Sequence, residues 1–212
     1  MKELSVAILP IVPFPDPVLA TKAEPVTEFN TELRELAQNM AETMYAAPGV
    51  GLAANQVGVL KRLIVIDVSE ENNDLKVFVN PVILEKSDTF EEFEEGCLSL
   101  KGLYEYVKRP DRVKVKAQDL DGKEFELEAT GILAVCLQHE MDHLDGIVFI
   151  DHLSRLKRDR ACTKLRKIRA NEKRDQTSKW HALKRGVDDN VGLSVDQTDS
   201  SVYWATDGPS HL

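Results

Sequence analysis

The sequence predicts an α+β fold with antiparallel sheets, because several short strand-like segments lie between two long helical segments. Among these segments, the Asp121-Gly122 pair separates two strand-like stretches, which is a strong signal for a β-hairpin. The chain has 212 residues, of which 42% are hydrophobic, so it can bury one sizeable core. We therefore expect a single domain with antiparallel sheets around a central helix, flanked by an N-terminal and a C-terminal helix.

The N-terminal half predicts one helix followed by strands. Asn30 is a suitable N-cap for a helix whose apolar residues recur at helical spacing until Pro48 stops it. Pro81, within one of the strands, predicts an edge strand or a bulge, because proline cannot donate to a sheet. The expected strands span residues 62–68, 75–84, 112–118 and 123–128.

The central helix is predicted from a dense apolar run at residues 132–137. Thr130 is its expected N-cap, and Gly146 follows its last residues. Because the run is apolar on nearly every side, this helix should be buried.

The end of this helix carries His139, Glu140 and His143, at the spacing i, i+1 and i+4. One helical turn places both imidazoles on one face, as a hydrolytic metal site requires. Glu140 then lies beside the open coordination position, where it can take a proton from water and deliver it to a leaving amine. The alternative is a polar helix face with two unrelated histidines.

A third metal ligand decides which class of metallohydrolase the pattern indicates. One protease class uses a third histidine, but the corresponding residue here is Phe149, which cannot bind a metal. Another uses a downstream glutamate, but Asp159 and Glu172 lie among lysines and arginines on a predicted solvated helix. Upstream, Cys97 stands beside a glycine, and a thiolate with two imidazoles leaves a fourth position open. We therefore expect Cys97 to be the third ligand.

A glycine-rich segment, residues 49–56, provides a further candidate. Its glycines and alanines allow a backbone to approach a ligand closely, and the amide N–H of Gln56 can stabilise an oxyanion. Alone, the segment also fits a glycine turn that enters a strand.

Together, G-V-G-L-A-A-N-Q, E-G-C-L-S and Q-H-E-M-D-H match the three signature motifs of the peptide deformylases in order, and the chain closely resembles this family from about Leu4 to Glu172. The resemblance implies the deformylase fold and removal of the formyl group from the N-terminal formyl-methionine of nascent polypeptides, which releases formate. A metalloprotease would need a downstream third ligand. A non-catalytic ribosome-binding protein would not need Glu140, Gln56 and three ligands together.

The resemblance also implies a mechanism. One divalent ion per chain supplies a hydroxide that attacks the formyl carbon, and Glu140 then protonates the methionine nitrogen. The metal, the Gln56 side chain and the backbone N–H of Leu98 hold the oxyanion. Fe²⁺ is the expected metal, although binding strength alone favours Zn²⁺, and Ni²⁺ and Co²⁺ are further alternatives. The implied ligands are Cys97, His139 and His143.

The family's substrate pocket can be carried over residue by residue. Backbone at Val50, Gly51 and Gly96 would pair the peptide like an added strand. Lys101 stands where many members have proline and Tyr104 where several have arginine, and both lie where peptide residues beyond the methionine would run. The implied walls of the methionine slot are Val50, Phe93, Ile132, Val135, Cys136 and His139.

The C-terminal part predicts a basic helix at about residues 153–174, with ten basic residues between Arg155 and Arg174. The helix is either a solvated amphipathic surface or, as the resemblance implies, a docking element for the ribosome near its exit tunnel. The net charge of −9 argues against general nucleic-acid affinity, and we expect no specific DNA binding. The expected apolar face comprises Leu153, Leu156, Ala161, Leu165 and Ile168.

Composition divides the chain into a catalytic domain at residues 1–176 and a polar, flexible tail at 177–212. No segment is apolar enough to span a bilayer, and the proline-rich N-terminus does not read as a signal peptide but as an entry strand and loop. Three cysteines without paired spacing indicate a reducing compartment. We therefore expect a cytoplasmic protein.

Overall fold

The computed structural model describes residues 7–184. Its helices there are α1 (Thr31–Ala46), α2 (Gly131–Leu144) and α3 (Arg155–Lys184), with short 3-10 turns at Pro17–Ala20, Ala54–Val57, Leu98–Leu100 and Phe149–His152. None of the helices in this part of the chain has the length and hydropathy of a membrane-spanning segment. Within residues 7–17 the backbone forms no strand, so the expected entry strand is absent from that stretch.

Seven strands in this region form two antiparallel sheets. The larger sheet has the order β1-β2-β3-β6-β7, and β4 pairs only with β5. The strands are β1 (Gly51–Ala53), β2 (Leu63–Ile66), β3 (Lys76–Lys86), β4 (Phe90–Glu95), β5 (Glu105–Pro110), β6 (Arg112–Gln118) and β7 (Glu124–Thr130). This arrangement confirms the predicted α+β class and the hairpin at Asp121-Gly122, where Gly122 has φ +80°.

Local signals explain the limits of several elements. The Asn30 side chain accepts a hydrogen bond from the Leu33 N–H at 3.1 Å, so it caps α1 as predicted. The pairing of β3 with β6 shifts register between Val79 and Val82, which confirms the bulge predicted at Pro81. Thr130 precedes α2, but its side chain makes no capping hydrogen bond. It is also the last residue of β7 and pairs with Arg112.

The central helix α2 packs across the larger sheet, and ten of its fourteen residues are buried. Its apolar residues, including Ala134 and Leu137, form a core with β2, β6 and β7. This confirms the prediction of a buried helix. The burial fixes the side chains at its C-terminal end, where the histidines lie.

The basic helix α3 is longer than the sequence predicts, since it begins at Arg155 and continues to Lys184, past the domain boundary expected at residue 176. Ala161 and Leu165 are buried against the segment around Phe149. Leu156 was expected on the same face but is 61% exposed. Nine residues separate it from Leu165, which is two and a half helical turns, so it points to the opposite side. Residues 185–212 of the predicted tail lie outside the described residues.

Candidate active site

Three buried side chains meet where α2 passes the loop after β4. The ligand atoms of Cys97, His139 and His143 all lie within 4.8 Å of one another. The Cys97 Sγ lies 3.2 Å from Nε2 of His143, and the two imidazole rings are 5.1 Å apart at an angle of 69°. We call these three residues the ligand cluster. The structure thus brings together the three residues that the sequence selects as ligands.

A buried carboxylate orients one of the histidines. Oε2 of Glu95 lies 2.8 Å from Nδ1 of His139, which leaves Nε2 of that ring for the ligand cluster. Burial alone would raise the pKa of Glu95, but the hydrogen bond with His139 and the charge of Arg109 outweigh burial and lower this pKa. Glu95 therefore remains a carboxylate and fixes the ring.

Arg109 extends this contact into a charged network. Its guanidinium binds Glu95 through two nitrogens and lies 2.7 Å from Asp142, which in turn lies 2.7 Å from His152. The attraction of Glu95 raises the pKa of Arg109 against the opposing effect of burial. Sequence reasoning assigned no role to Glu95 or Arg109. The available signal was the position of Glu95 in the sequence, two residues before Cys97.

The two histidines differ in their affinity for protons. Burial lowers the pKa of His143 well below its usual value, so its ring is neutral, as a metal ligand must be. For His139, burial also lowers the pKa, but contacts with Cys97 and Glu95 outweigh burial and raise it. A proton on His139 therefore competes with a cation at the cluster.

Glu140 is buried beside the cluster, and its Oε2 has no hydrogen-bond partner among the described residues. Burial is the main cause that raises the pKa of this carboxyl to about 7. A carboxyl group of this pKa can both accept and return a proton near neutral pH. The arrangement suits acid–base chemistry at the ligand cluster.

The glycine-rich segment faces Glu140 through Gly51. A Cβ on Gly51 would lie 2.5 Å from Oε1 of Glu140 and 2.7 Å from Sγ of Cys136, so only glycine fits here. The close approach predicted for this segment is therefore, in part, an approach to α2 itself. The segment forms strand β1, which was not among the predicted strands.

Gln56 is held with its amide nitrogen toward the cluster. Its Oε1 accepts the backbone N–H of Ala53 at 2.8 Å, and its Nε2 lies 3.5 Å from Sγ of Cys97 and 3.3 Å from Oγ of Ser99. Because the oxygen is already engaged, the donor end must face the site. This orientation is the one that oxyanion stabilisation requires.

A small cavity opens at the ligand cluster. Of the predicted substrate residues, Val50, Gly51, Gly96 and His139 line it, together with Leu98. Phe93 and Ile132 are half-buried, and Val135 and Cys136 are fully buried; none of these four lines this cavity. Phe149, which occupies the place of the third histidine ligand of one protease class, stacks on the His139 ring with centroids 5.9 Å apart. The complete cavity lining is Gly49, Val50, Gly51, Gln56, Gly96, Cys97, Leu98, His139 and Glu140.

Comparisons with known proteins all point to one family. The family model for polypeptide deformylase matches residues 8–159. The chain is 53% identical over 164 residues to peptide deformylase 1 of Burkholderia multivorans, covering 77% of this chain and 91% of that protein. It is 51% identical over 172 residues to the peptide deformylase of Acinetobacter baumannii, covering 81% and 98%.

Solved structures show the same similarity. A peptide deformylase from Legionella pneumophila has a TM-score of 0.76 at 48% identity and covers 79% of this chain and 99% of its own. The peptide deformylase of Synechococcus elongatus, solved in complex with actinonin, has a TM-score of 0.71 at 43% identity, covering 74% and 86%. With the family match spanning well over half of its length, this chain belongs to the polypeptide deformylase family.

Proposed function

We propose that this chain removes the formyl group from the N-terminal formyl-methionine of nascent polypeptides, the reaction of its family, with one metal ion at the ligand cluster and Glu140 as the proton carrier. The observation that carries this proposal is the position of Glu140. Its buried carboxyl, with one oxygen unpartnered and a pKa of about 7, lies beside three ligand atoms within 4.8 Å of one another.

The residues of the cluster fit a divalent metal. A thiolate and two imidazoles leave one coordination position open, as in catalytic sites, and Glu95 supports His139 as carboxylates commonly support ligand histidines. When bound, such a metal acidifies a water molecule and polarises a carbonyl group. We propose Fe²⁺ as the native metal, in competition with the more tightly bound Zn²⁺. Ni²⁺ and Co²⁺ suit the same ligands.

Glu140 accepts the proton of the attacking water and transfers it to the methionine nitrogen as the formyl C–N bond breaks. Burial, which raises the pKa of Glu140 to about 7, suits this carboxyl to both steps. Gly51 leaves the space that this carboxyl occupies.

Gln56 and Leu98 act on the formyl oxygen. The Nε2 of Gln56 and the backbone N–H of Leu98 donate hydrogen bonds to the oxyanion as the carbonyl carbon becomes tetrahedral. Each donor of this kind contributes about 10²- to 10³-fold in rate. The support from the structure is the fixed amide of Gln56, whose oxygen is held by Ala53.

The peptide binds by strand addition at Val50, Gly51 and Gly96. Strand β1 is at the edge of the larger sheet and pairs only with β2 among the described strands, so its other edge can accept a peptide. We propose that the methionine side chain packs against apolar residues beside the cavity. The slot residues are Val50, Phe93, Ile132, Val135, Cys136 and His139.

The protein works in the reducing cytoplasm at the ribosome, with residues 1–176 as the catalytic domain and 177–212 as a tail. Free cysteines support this location, since Cys97 must stay a thiolate. On α3, Arg158 pairs with Asp151, but most other basic side chains are exposed and form no ion pair with any residue that the structure describes. They remain available to ribosomal phosphates.

A direct assay tests the activity. The protein, purified without oxygen and loaded with Fe²⁺, should release formate from formyl-Met-Ala-Ser, and the metal content should be one ion per chain. Release of free amino acids from unformylated peptides, without formate from the formylated one, would instead indicate a peptidase and overturn the proposal.

A further inference from the structure

A larger cleft, with a volume of about 680 Å³, adjoins the catalytic cavity, and the mechanism above does not use it. Leu98 lines both spaces, and the chain neighbours Pro48 and Gly49 line one each. The cleft therefore borders the active site along the same two chain segments. Its far wall is formed by α3.

Packing of α3 explains how the helix reaches the cleft. Leu165 is buried in the core, and Ile168 lies 3.5 Å from the place where a Cβ on Gly102 would be. This contact sets α3 against the loop after the cysteine ligand. Arg169 and Glu172, one turn apart, thereby become part of the cleft lining.

The cleft carries two cations that have no carboxylate partner. Arg169 is half-buried and Lys101 is exposed, and neither forms an ion pair with any residue in the described part of the chain. Glu172 is the single carboxylate among the lining residues. A partly desolvated guanidinium favours a carboxylate, which it can bind through two parallel hydrogen bonds.

We propose that this cleft binds the part of the peptide that follows the formyl-methionine and its first neighbour, and that Lys101 and Arg169 make it selective for acidic side chains there. The inference rests on the proposed function, because the peptide must enter from the catalytic cavity. An extended chain advances about 3.3 Å per residue, so a few residues are enough to enter the cleft. The side chain of Arg169, on α3, then contributes to substrate choice.

Peptides of matched length test this selectivity. We would compare formyl-Met-Ala followed by four aspartates, four serines or four lysines, each amidated so that no terminal carboxylate can substitute for a side chain. The expected order of kcat/KM is Asp, then Ser, then Lys, with at least a tenfold difference between the extremes. The difference should reside mainly in KM and should decrease at high salt, because the contacts bind ground state and transition state alike.

Charge reversal identifies the residues. In the Lys101→Glu/Arg169→Glu variant the preference should invert, while formyl-Met-Ala-amide, which is too short to reach the cleft, should be turned over as by the parent. Lys164→Glu is the matched control, because it makes the same charge change on α3 but lines a different, shallow cleft.

A parent enzyme without acidic preference, or a Lys164→Glu variant that changes the preference as much as the Lys101→Glu/Arg169→Glu variant does, would overturn the inference. Failure of the proposed function would look different, since no peptide, including formyl-Met-Ala-amide, would release formate.

Discussion

Oε2 of Glu95 lies 2.8 Å from Nδ1 of His139, so a buried carboxylate holds one imidazole of the ligand cluster, whereas Nδ1 of His143 has no hydrogen-bond partner among the described residues. The two histidines are therefore supported differently. His139 is held by Glu95, which Arg109 binds in turn, whereas His143 is held by the packing of α2 and by its contact with Cys97. The affinity of the cluster for metal should accordingly depend on Glu95.

Glu95→Gln should weaken metal binding by about 10- to 100-fold, because the variant loses the negative charge that orients His139 and increases its basicity. The dissociation constant for Zn²⁺, measured by competition with a chelator, checks this. Glu92→Gln is the control, since Glu92 is exposed on the same strand. If the glutamine variant does not fold, Glu95→Asp, which keeps the charge but shortens the side chain, should also bind metal more weakly. Unchanged affinity for Zn²⁺ in a folded variant would show that Glu95 does not support metal binding.

Ile132→Ala should reduce the preference for formyl-Met over formyl-Ala peptides, which we expect to exceed tenfold in the parent. Each buried methylene contributes about 0.8 kcal/mol, so a shortened slot wall loses part of the discrimination. The ratio of kcat/KM values for the two peptides is the measurement. Leu133→Ala is the matched control, because Leu133 packs against the core beneath the sheet. An equal change of the ratio in both variants would mean that Ile132 supports the helix and not the slot.

The positions of several elements could be predicted because local signals determine them. Asn30 caps α1, and the strand predicted at 112–118 has the same first and last residues as β6. The three motifs also meet in space, as their resemblance to a family implies. Strands β4 and β5 could not be predicted, because the acidic stretch at 90–95 has no apolar alternation and is stabilised by its pairing with β5.

The supporting network of the site also depends on tertiary contacts. Arg109 and Glu95 lie fourteen residues apart and meet only because β4 pairs with β5. Leu156 is exposed because it lies on the side of α3 opposite to Leu165, and α3 continues to Lys184. Composition alone specifies neither which face of the helix is buried nor where the helix ends. Sequence thus identifies the candidate reacting groups better than the residues that hold them.

Asp67→Asn should lower the free energy of unfolding at pH 7 by about 1–3 kcal/mol, because buried Asp67 accepts hydrogen bonds from Tyr45 at 2.7 Å and from Ser69. Burial alone would raise the pKa of Asp67, but these bonds lower it below 3.8. A carboxyl with a lowered folded-state pKa contributes stability above its unfolded pKa, and this contribution is lost as the pH falls through the folded value.

The difference between parent and Asp67→Asn, measured by urea unfolding, should therefore shrink below about pH 4. Asp88→Asn, at an exposed position, should show no such trend. A difference that stayed constant down to pH 3 would exclude the charge of Asp67 as its source.

Reversal of Arg166, Lys167 and Lys173 to glutamate should abolish salt-sensitive cosedimentation with ribosomes, because each phosphate contact contributes to the salt dependence of binding. All three side chains are exposed on α3. The catalytic core should remain folded, since Leu165 and Ala161 still pack on it. Unchanged ribosome binding by the folded triple variant would mean that the helix is a solvated surface.

The metal content and turnover of Glu140→Gln, measured on the same sample, test whether Glu140 carries protons at the ligand cluster. Glu140 is proposed to move protons without binding the metal, so the variant should retain one metal ion per chain. Its formate release from formyl-Met-Ala-Ser should fall by at least about 10²- to 10⁴-fold, the usual contribution of a positioned acid–base group. Loss of the metal together with the activity, or turnover close to that of the parent, would contradict the account.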